Sequence, residues 1–593
     1  MANFFTDNDD LKFVFEHVDL AGIADICEEG FRFAKDFDYA PASAQEAIEN
    51  YRMVLTWLGQ LCGDFIAVRA ESVDREGNQL NPDGTVTRPR GIVEAIDQLA
   101  KADLMGFTLP YRFGGLNFPN TIYSMAIEIL SRADASLMNL FGLQGIAETI
   151  NAFADESIKQ RYLPAFAAGK VTGAMALTEP DAGSDLQAVK LRAFQDADGN
   201  WYLNGVKRFI TNGCGEVLLV LARSEPDRSG GLGLSLFVCE RGPTVHIRRL
   251  EEKLGIHGSP TCEIFFDNTP CQLIGQRQRG LVTYVMSLMN GARIGIAAQS
   301  LGIAEAAYRV ARNYAASRRQ FGVAIEQLPA VRDILLDDRI AIEAGRALLY
   351  LTSQTVDQAV GMDRQISSSG DGQAAKDLKD RFRLVRRHAE LLTPMSKYYC
   401  SEMANRVAYD AIQVLGGSGY MRDYPAERLA RDARITTIYE GTTQLQIVAA
   451  VRGVCNGTAE RLIGELAARP YRQSLAEELA ILEQCTGLLH KAILFVKEAG
   501  NDYMDLYGRP LVDLATEIIQ GYLLCEQASS KVQQTVDDGK GQTIPMTERK
   551  AMIARRFVRR NAYRHQALAE LICSGDRSTF QQYQAIVNPI SLD

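Results

Sequence analysis

The sequence predicts a mainly α-helical protein with a β domain in the middle of the chain. Three observations support this fold class: apolar residues recur at three- and four-residue spacing on both sides of residues 172–274, short apolar runs separated by Gly, Pro, Asn and Asp fill that middle segment, and another helical block follows residue 457. The 593 residues are 47% apolar and 23% charged, an ordinary globular composition. At about 150 residues per domain, this length predicts three to five structural units.

Helical periodicity defines the first domain, which we place at residues 44–170. Apolar residues fall on one helical face within 51–61 and again within 122–130. Residues 1–43 precede this domain and are predicted to form an N-terminal arm.

The β domain is placed at residues 171–280, where short apolar runs alternate with turn-forming residues. Its predicted strands are Trp201–Ile210, Glu216–Ala222, Leu234–Cys239, Val245–Arg248 and Glu263–Phe266.

Helical periodicity returns over residues 281–456, most clearly from Arg293 to Ala316, and predicts a helical-bundle domain. Within it, residues 361–383 are rich in Gly, Ser, Asp and Lys and are predicted to be an exposed connection between helices. The remaining residues, 457–593, are predicted to form an extra C-terminal helical domain.

The net charge and the N-terminal sequence predict the partners and the location of the protein. A net charge of -9 lacks the basic excess of a dedicated nucleic-acid binder, so we expect no nucleic acid partner. The N-terminus is acidic and no long apolar run follows it, which predicts neither a targeting peptide nor an integral membrane segment. We therefore expect a cytoplasmic protein.

The cysteine and histidine patterns argue against a disulfide-stabilised protein and against a metal-binding protein. The eleven cysteines contain no C-x-x-C pair and are expected to be reduced thiols rather than disulfides. None of the six histidines stands at metal-ligand spacing from a Cys or another His, so no metal site is predicted.

The first segment suited to cofactor chemistry is 176–185, Ala-Leu-Thr-Glu-Pro-Asp-Ala-Gly-Ser-Asp. Thr178 and Ser184 supply hydroxyl groups, and Gly183 lets backbone amides approach an anion or a ring edge. Such residues also form turns and caps, which is the alternative interpretation. The segment 209–213, Phe-Ile-Thr-Asn-Gly, places an aromatic and a hydroxyl at a strand end; its alternative is a core Phe and a turn.

The second such segment combines 413–420, Gln-Val-Leu-Gly-Gly-Ser-Gly-Tyr, with 438–444, Ile-Tyr-Glu-Gly-Thr-Thr-Gln. Its glycine run is too short for a dinucleotide fingerprint and follows a helical pattern, which excludes a nicotinamide site. A glutamate beside glycine is often a solvated or capping carboxylate. Glu440, however, follows an apolar pair, a setting that favours partial burial and the raised pKa of a base.

Together these segments resemble the two signatures of the acyl-CoA dehydrogenase family. Arg293 in Asn-Gly-Ala-Arg, the run Arg-Arg-Gln-Phe-Gly at 318–322 and the run Lys-Leu-Gly-Ile-His-Gly-Ser-Pro-Thr at 253–261 also match. The resemblance covers residues 45–455 and is strongest to the large bacterial branch that includes 3-methylmercaptopropionyl-CoA dehydrogenase. It implies a helical N-terminal domain, a β-barrel middle domain and a four-helix-bundle C-terminal domain, with the extra helical domain added.

The resemblance also implies FAD as cofactor and assigns roles to residues. The catalytic base is Glu440, because Ala292 occupies the position where some branches carry the base. The substrate contacts are Ser184, Arg293 and Gly441. The flavin-ring contacts are Leu177, Thr178, Phe209, Ile210 and Thr211, with Thr442 and Gln444 completing the flavin site. Arg318 and Phe321, together with Gln413 and Gly417 from a neighbouring subunit, would hold the diphosphate and adenosine.

What the family resemblance implies for function is α,β-dehydrogenation of an acyl-CoA thioester to a trans-2-enoyl-CoA. The base takes the α-proton, flavin N5 takes the β-hydrogen as hydride, and an electron-transfer flavoprotein takes the electrons. This is chemistry of fatty acid metabolism and β-oxidation. A homodimer is expected, since the FAD site would be shared between subunits.

Two alternatives remain open at this point. An acyl-CoA oxidase would keep the glutamate but deliver electrons to oxygen. A DNA-associated flavoprotein relative would carry a basic C-terminal domain, whereas residues 460–593 hold 16 Lys/Arg against 17 Asp/Glu. Arginines 555, 556, 559, 560 and 564 do form a cationic helix face, which is interpreted as solvated or ion-paired, with a partner contact as the alternative.

Overall fold

A computed structural model describes residues 2–368 and 372–588. The chain divides into two compact units: the first runs to Phe382 and resumes over Ser396–Thr443, and the second comprises Arg383–Met395 and the chain from Gln444 onward. The fold is mainly helical with a central β region, which confirms the predicted fold class.

Nine helices and one small hairpin precede the β domain in the described part of the chain. The helices are α1 Asp9–His17, α2 Leu20–Cys27, α3 Ala44–Leu61, α4 Ala70–Glu76, α5 Arg90–Lys101, α6 Asn120–Ala133, α7 Ala135–Gly142, α8 Ile146–Phe153 and α9 Glu156–Ala167; the hairpin strands are β1 Gln79–Leu80 and β2 Val86–Thr87.

The start of α3 shows how the sequence sets these bounds. The Ser43 side chain accepts a hydrogen bond from the backbone N–H of Glu46, and the Glu46 carboxylate accepts one from the N–H of Ala42. This reciprocal pair satisfies backbone donors at the helix start. The helix then buries the predicted face, including Tyr51 and Leu55.

The predicted N-terminal arm forms helices rather than an irregular connection. It contains α1 and α2, and Asp10 of α1 has no exposed surface. Asp10 forms an ion pair with Arg346, and Arg346 also pairs with Glu128 at 2.7 Å and Glu305 at 3.1 Å. A buried network of four charged side chains therefore joins the arm to α6 and to two later helices.

Seven strands form the central sheet. They are β3 Gly173–Ala176, β4 Arg192–Gln195, β5 Trp201–Thr211, β6 Val217–Arg223, β7 Leu234–Glu240, β8 Val245–Leu250 and β9 Thr261–Leu273. All five predicted strands are present, and β3 and β4 were not predicted. The order β6-β4-β5-β9-β7 closes because β7 also pairs with β6. The closed ring confirms the predicted barrel.

Strand β6 is buried on both faces, which explains its continuous apolar run. Leu218, Val220 and Ala222 point into one core with other barrel residues. The alternate residues Val217, Leu219 and Leu221 point into a second core that contains Ile150 of α8 and Phe166 of α9. The barrel thus packs against the N-terminal helices through alternate residues of one strand.

Five helices follow the barrel. They are α10 Met286–Ser317, α11 Pro329–Ser368, α12 Gln373–Leu415, α13 Ala426–Arg434 and α14 Thr443–Cys455, with the short strands β10 Arg319–Gln320 and β11 Val323–Ala324 after α10. The prediction of a helix connection over 361–383 is wrong for 361–368 and 373–383, which are helical. Residues 369–371 lie outside the described residues.

The second unit contains α15 Thr458–Ala467, α16 Ala476–Ala499, α17 Asn501–Leu506, α18 Gly508–Ala528, α19 Met546–Ile572 and α20 Ser578–Val587, with strands β12 Thr535–Asp537 and β13 Thr543–Pro545. Helix α18 is buried along most of its length. On α19, Arg559 pairs with Glu477 at 2.7 Å, and Arg564 pairs with Asp513 at 2.7 Å. These pairs support the ion-paired interpretation of the arginine face.

Two helical segments are long and apolar enough to cross a membrane, by length and composition alone. They are Gly280–Ser317 and Gln473–Ala499, and 56% and 33% of their apolar windows lie inside the protein. Buried core helices of soluble proteins pass the same test, so the absence of a membrane segment stays a prediction.

All eleven cysteines are free thiols. Across residues 2–368 and 372–588, no group of three or more His, Cys, Asp or Glu is placed to hold a metal.

Candidate active site

Glu440 lies between α13 and α14 in an uncommon backbone conformation. Its φ is +54°, in the left-handed region that non-glycine residues rarely adopt, and Gly441 follows at +90°. Glycine adopts such angles without steric strain, but glutamate does so only when its surroundings impose them. The contacts that hold this turn are therefore part of the site.

The residue before Glu440 is held by a polar cluster. The hydroxyl of Tyr439 donates to Oδ1 of Asn139 at 3.2 Å and to Oε1 of Gln299. The Gln299 amide donates to Oδ1 of Asn139 at 2.9 Å and to the carbonyl of Ala135 at 3.1 Å. Residues of α7 and α10 thus fix Tyr439 and limit the positions open to Glu440.

Two further side chains hold the residues after Glu440. Nζ of Lys397, on α12, donates to the carbonyl of Gly441 at 2.7 Å. The hydroxyl of Thr443 donates to Oε1 of Glu402, also on α12, at 2.6 Å. Helix α12 therefore supports the turn from the side that follows Glu440.

The electrostatics of the site raise the pKa of Glu440 to about 7. Burial raises this pKa most, because it disfavours the charged form, while the cations of Lys397 and Arg293 lower it. Burial also lowers the pKa of Lys397, against the effect of Glu440 and Glu402. A carboxylate with a pKa near neutrality is well matched to a general base.

A cavity of about 330 Å³ opens beside Glu440. Its volume falls in the ~300–1,000 Å³ range of small-molecule sites. Its lining includes residues from the barrel and from three helices: Met175, Thr211, Leu288, Ala292, Ile127 and Met138. The arrangement places the half-buried carboxylate of Glu440 at the side of a chamber with both apolar and polar walls.

The lining of the cavity also includes charged groups, among them Glu148, Asp357 and Arg364. Oε1 of Glu148 accepts a hydrogen bond from the Thr108 hydroxyl. Asp357 accepts hydrogen bonds from the backbone N–H groups of Asn120 and Thr121 at the start of α6, at 2.8 and 2.9 Å. These acids are held by local donors, and burial raises the pKa of both Glu148 and Asp357.

The predicted flavin-ring residues lie on two neighbouring segments of the barrel. The carbonyl of Thr178 accepts a hydrogen bond from the N–H of Arg208 at 2.9 Å, so the segment after β3 runs beside the end of β5. Leu177 and Ile210 are buried, and Thr211 faces the cavity. The structure therefore brings these two segments together, and Thr211 lines the same cavity as Glu440.

Phe209 stands out within β5. A register shift between Lys207 and Ile210 gives Phe209 a φ of +61° and leaves its side chain 52% exposed. The buried Nζ of Lys207 donates to the carbonyl of Leu177 at 2.7 Å and to Glu179 at 2.9 Å. The bulge thus turns an aromatic ring outward while a lysine ties the two segments together.

The predicted diphosphate and adenosine residues are exposed and lie away from the cavity lining. Arg318, Gln413 and Gly417 are exposed, and the Phe321 ring is 89% exposed. The Tyr314 hydroxyl donates to Oγ of Ser418 at 3.2 Å, which joins the end of α10 to the glycine-rich segment. Both sequence segments therefore belong to one surface of this chain.

The remaining predicted residues are less closely grouped. Ser184 is exposed on the loop after β3. Arg293 is 9% exposed, donates to Oδ1 of Asn290 at 3.1 Å, and keeps a buried Nε with no hydrogen-bond partner among the described residues. Thr442 is half-buried in the first unit, whereas Gln444 is exposed and begins the second unit.

The sequence prediction missed Lys397, Tyr439, Gln299 and Asn139. For Lys397 a signal exists: residues 400, 401 and 404, which follow it at helical spacing, are Cys, Ser and Ala, so a lysine stands on a face of small uncharged residues. The Tyr439 cluster joins residues 140 to 300 positions apart and has no local signal.

Comparison with known proteins identifies the chain. Family models of the acyl-CoA dehydrogenase N-terminal, middle and C-terminal domains match residues 49–170, 174–269 and 279–454. The acyl-CoA dehydrogenase of Bacillus subtilis is 35% identical over 372 residues, which are 62% of this chain and 90% of that protein. The chain belongs to the acyl-CoA dehydrogenase family. It is therefore an enzyme of that family, as predicted.

Two further acyl-CoA dehydrogenases extend this picture. The 3-methylmercaptopropionyl-CoA dehydrogenase of Ruegeria pomeroyi is 34% identical over 429 residues, 67% of this chain and 69% of that protein. A solved acyl-CoA dehydrogenase from Bacillus anthracis, complexed with FAD, is 21% identical and covers 88% of each chain with a TM-score of 0.73. That coverage reaches beyond residue 454, so the shared fold includes part of the extra C-terminal helices.

Proposed function

We propose that this acyl-CoA dehydrogenase removes the α-proton and the β-hydride of an acyl-CoA thioester to give a trans-2-enoyl-CoA, with Glu440 as the base. One observation carries the proposal: a half-buried carboxylate with a pKa of about 7 lines the same cavity as Thr211 of the predicted flavin segment. The α-proton of a thioester is weakly acidic, so its removal needs a desolvated, aimed base.

FAD is the proposed cofactor, and the residues present fit it. Phe209 offers an exposed apolar ring, and Thr178 and Thr211 offer hydroxyls on the same two segments, while Arg318 and Phe321 of a second copy would offer a cation and an aromatic surface to a diphosphate and an adenine. Gln413 and Gly417 of the second copy, with Thr442 and Gln444, are proposed to complete the site. When bound, FAD accepts the β-hydrogen as hydride.

The chain's own residues supply the rest of the chemistry. Glu440 moves the α-proton from carbon to its carboxylate, and the electron pair of that C–H bond becomes the new C=C bond as the β-hydrogen leaves. Ser184, Arg293 and Gly441 are proposed to bind the CoA thioester. The apolar side chains of the cavity lining, among them Met138, Met175 and Leu288, would hold the acyl chain in line with Glu440.

The biological setting is also part of this proposal. An electron-transfer flavoprotein is proposed as electron acceptor, the reaction as a step of fatty acid β-oxidation, and the cytoplasm as the location. We propose a homodimer, because Arg318, Phe321, Gln413 and Gly417 form one exposed surface away from the cavity and would serve a second copy's cofactor. Light scattering of the purified protein tests the dimer; an active monomer contradicts it.

A substrate panel tests the reaction. Flavin absorbance is followed anaerobically with thioesters from propionyl-CoA and 3-methylmercaptopropionyl-CoA to palmitoyl-CoA. Turnover is measured in a separate assay with an artificial electron acceptor. Bleaching of the flavin and formation of an enoyl-CoA by at least one thioester are expected. A colourless protein that gains no activity from added FAD contradicts the proposal.

Reoxidation by air with and without an electron-transfer flavoprotein tests the acceptor. Fast reoxidation by oxygen alone identifies an acyl-CoA oxidase instead.

A further inference from the structure

Lys397 is a lysine without exposed surface that lies beside the proposed base. Its relative exposure is 0%, although lysine is almost never fully buried unless it is paired. On α12 its neighbours at helical spacing, Cys400, Ser401 and Ala404, are also fully buried. Packing alone would favour an uncharged residue here, because burial of an ammonium group is unfavourable.

The contacts of Lys397 converge on the turn that carries Glu440. Its Nζ donates to the carbonyl of Gly441 at 2.7 Å, the first peptide carbonyl after Glu440. Among the described residues, the charged groups that act on Lys397 are Glu440, Glu402 and Arg293. Those that act on Glu440 are Lys397 and Arg293. Lys397 is thus a hydrogen-bond donor to the turn, and its charge acts on the carboxylate of Glu440.

This contact bears directly on the conformation of Glu440. Glu440 and Gly441 have φ angles of +54° and +90°, and a residue such as glutamate stays in that region only when its surroundings hold it there. A donor fixed on the Gly441 carbonyl restricts rotation of the peptide that follows Glu440. The Tyr439 hydroxyl bonds restrict the preceding side, so the base is held from both ends.

We propose that Lys397 is a positioning residue for the base: its ammonium group anchors the Gly441 carbonyl, holds Glu440 in its left-handed conformation and balances the charge of the carboxylate. The proposal rests on the proposed function for the role of Glu440, but its structural content does not depend on the substrate. Removal of the ammonium group should make the carboxylate of Glu440 harder to ionise and less well aimed.

The sign of the effect follows from the contacts. Burial raises the pKa of Glu440 and the Lys397 cation lowers it, so loss of the cation raises this pKa further. An opposite charge close to a carboxylate shifts its pKa by about one to three units, so we expect the titration of Glu440 to move up by about one pH unit or more.

Infrared difference spectroscopy of the full-length flavoprotein tests this without substrate. The carboxylic C=O band that is present in the parent protein and absent after Glu440→Gln reports protonated Glu440, and its intensity is titrated with pH. The same titration is made in a Lys397→Met background. Lys550, another lysine with 0% exposure, lies on α19 in the second unit, and Lys550→Met is the matched control for loss of a buried ammonium group.

The expected result is an upward shift of about one pH unit or more in Lys397→Met and an unchanged midpoint in Lys550→Met. An unchanged midpoint in Lys397→Met overturns the proposal. If Lys397→Met does not yield a soluble flavoprotein, Lys397→Gln, which retains a donor but no charge, is titrated instead and must show the same upward shift; an unchanged midpoint there also overturns it.

Kinetics then separate this proposal from the proposed function. If a thioester reduces the flavin, Lys397→Met should lower the reduction rate at neutral pH far more than it changes KM, and part of the loss should be recovered at higher pH. If no thioester reduces the wild-type flavin, the proposed function is wrong, yet the infrared titration still tests the role of Lys397.

Discussion

Two clusters of charged side chains in the first unit differ in how completely their charged groups are paired. Arg346 has no exposed surface and is surrounded by Asp10, Glu128 and Glu305. Its guanidinium forms hydrogen bonds to all three carboxylates, and the Tyr350 hydroxyl donates to Glu128 at 2.8 Å. In this cluster, each carboxylate is paired with the guanidinium of Arg346.

The cluster of Glu440, Lys397 and Arg293 is arranged differently. Lys397 donates to a backbone carbonyl, Arg293 keeps an unpartnered buried Nε among the described residues, and Glu440 lies on the wall of a cavity. The charges influence each other, and both the Glu440 and Lys397 pKa values are displaced toward neutrality. A buried cluster in which every charged group is paired stabilises the fold. A cluster that lines a cavity and whose groups have displaced pKa values is suited to catalysis.

The largest effect expected from this difference is on the reaction. Glu440→Gln should fold and bind FAD but reduce the rate of flavin reduction by about 100-fold or more, because the amide keeps the shape and removes the base. Anaerobic stopped-flow absorbance measures this rate. A variant that keeps more than about a tenth of the wild-type rate would place the base elsewhere.

Loss of Arg346 from the fully paired cluster should lower the free energy of unfolding. Arg346→Met leaves three buried carboxylates without their shared cation and should lower the free energy of unfolding by about 3–5 kcal/mol. Urea unfolding followed by circular dichroism measures the change. A loss below about 1 kcal/mol would show that these carboxylates do not depend on Arg346.

A smaller effect concerns pH. Glu440 acts as a base only when ionised, and its pKa of about 7 lies above the usual value for glutamate. The rate of flavin reduction should therefore rise as pH increases through neutrality, by about tenfold between about pH 6 and pH 8. A rate that is flat over this range, or that falls, contradicts the assignment of the raised pKa to the base.

The smallest effect is expected at an exposed ion pair. Lys101 and Asp97 form an i, i+4 pair at 2.6 Å on α5, with side chains 66% and 53% exposed. Lys101→Gln should change the free energy of unfolding by no more than about 0.5 kcal/mol, because solvent screens such pairs. This variant provides the baseline against which Arg346→Met is compared in the same urea titration.

Local patterns in the sequence predicted the parts of this molecule that depend on local interactions. Five of the seven strands of the central sheet were predicted because apolar runs and turn residues alternate over 201–273, and Glu440 became the candidate base because its motif is contiguous. Residues 361–368 and 373–383 were misassigned as a connection since their polar composition reflects solvent exposure near the ends of α11 and α12, not loss of helix. Composition reports the environment of a side chain more directly than its backbone conformation.

Contacts between distant residues were beyond such patterns. Asp10 and Arg346 are 336 positions apart, so nothing near Asp10 indicated that the predicted arm contributes a buried carboxylate. Lys397 acts on Gly441 across 44 positions, and only its place on a face of small residues marked it as unusual. The position of Glu440 as a candidate base was therefore visible in the sequence, while the residues that hold its turn required the fold.

The most direct measurement of the central claim is α-proton exchange. Acyl-CoA is incubated anaerobically in D₂O with the flavoprotein, and deuterium at the α-carbon of the recovered thioester is measured by mass spectrometry. If Glu440 is the base, the wild-type protein incorporates deuterium, and Glu440→Gln does so at least about 100-fold more slowly while binding FAD equally well. Exchange by Glu440→Gln at the wild-type rate would contradict the account.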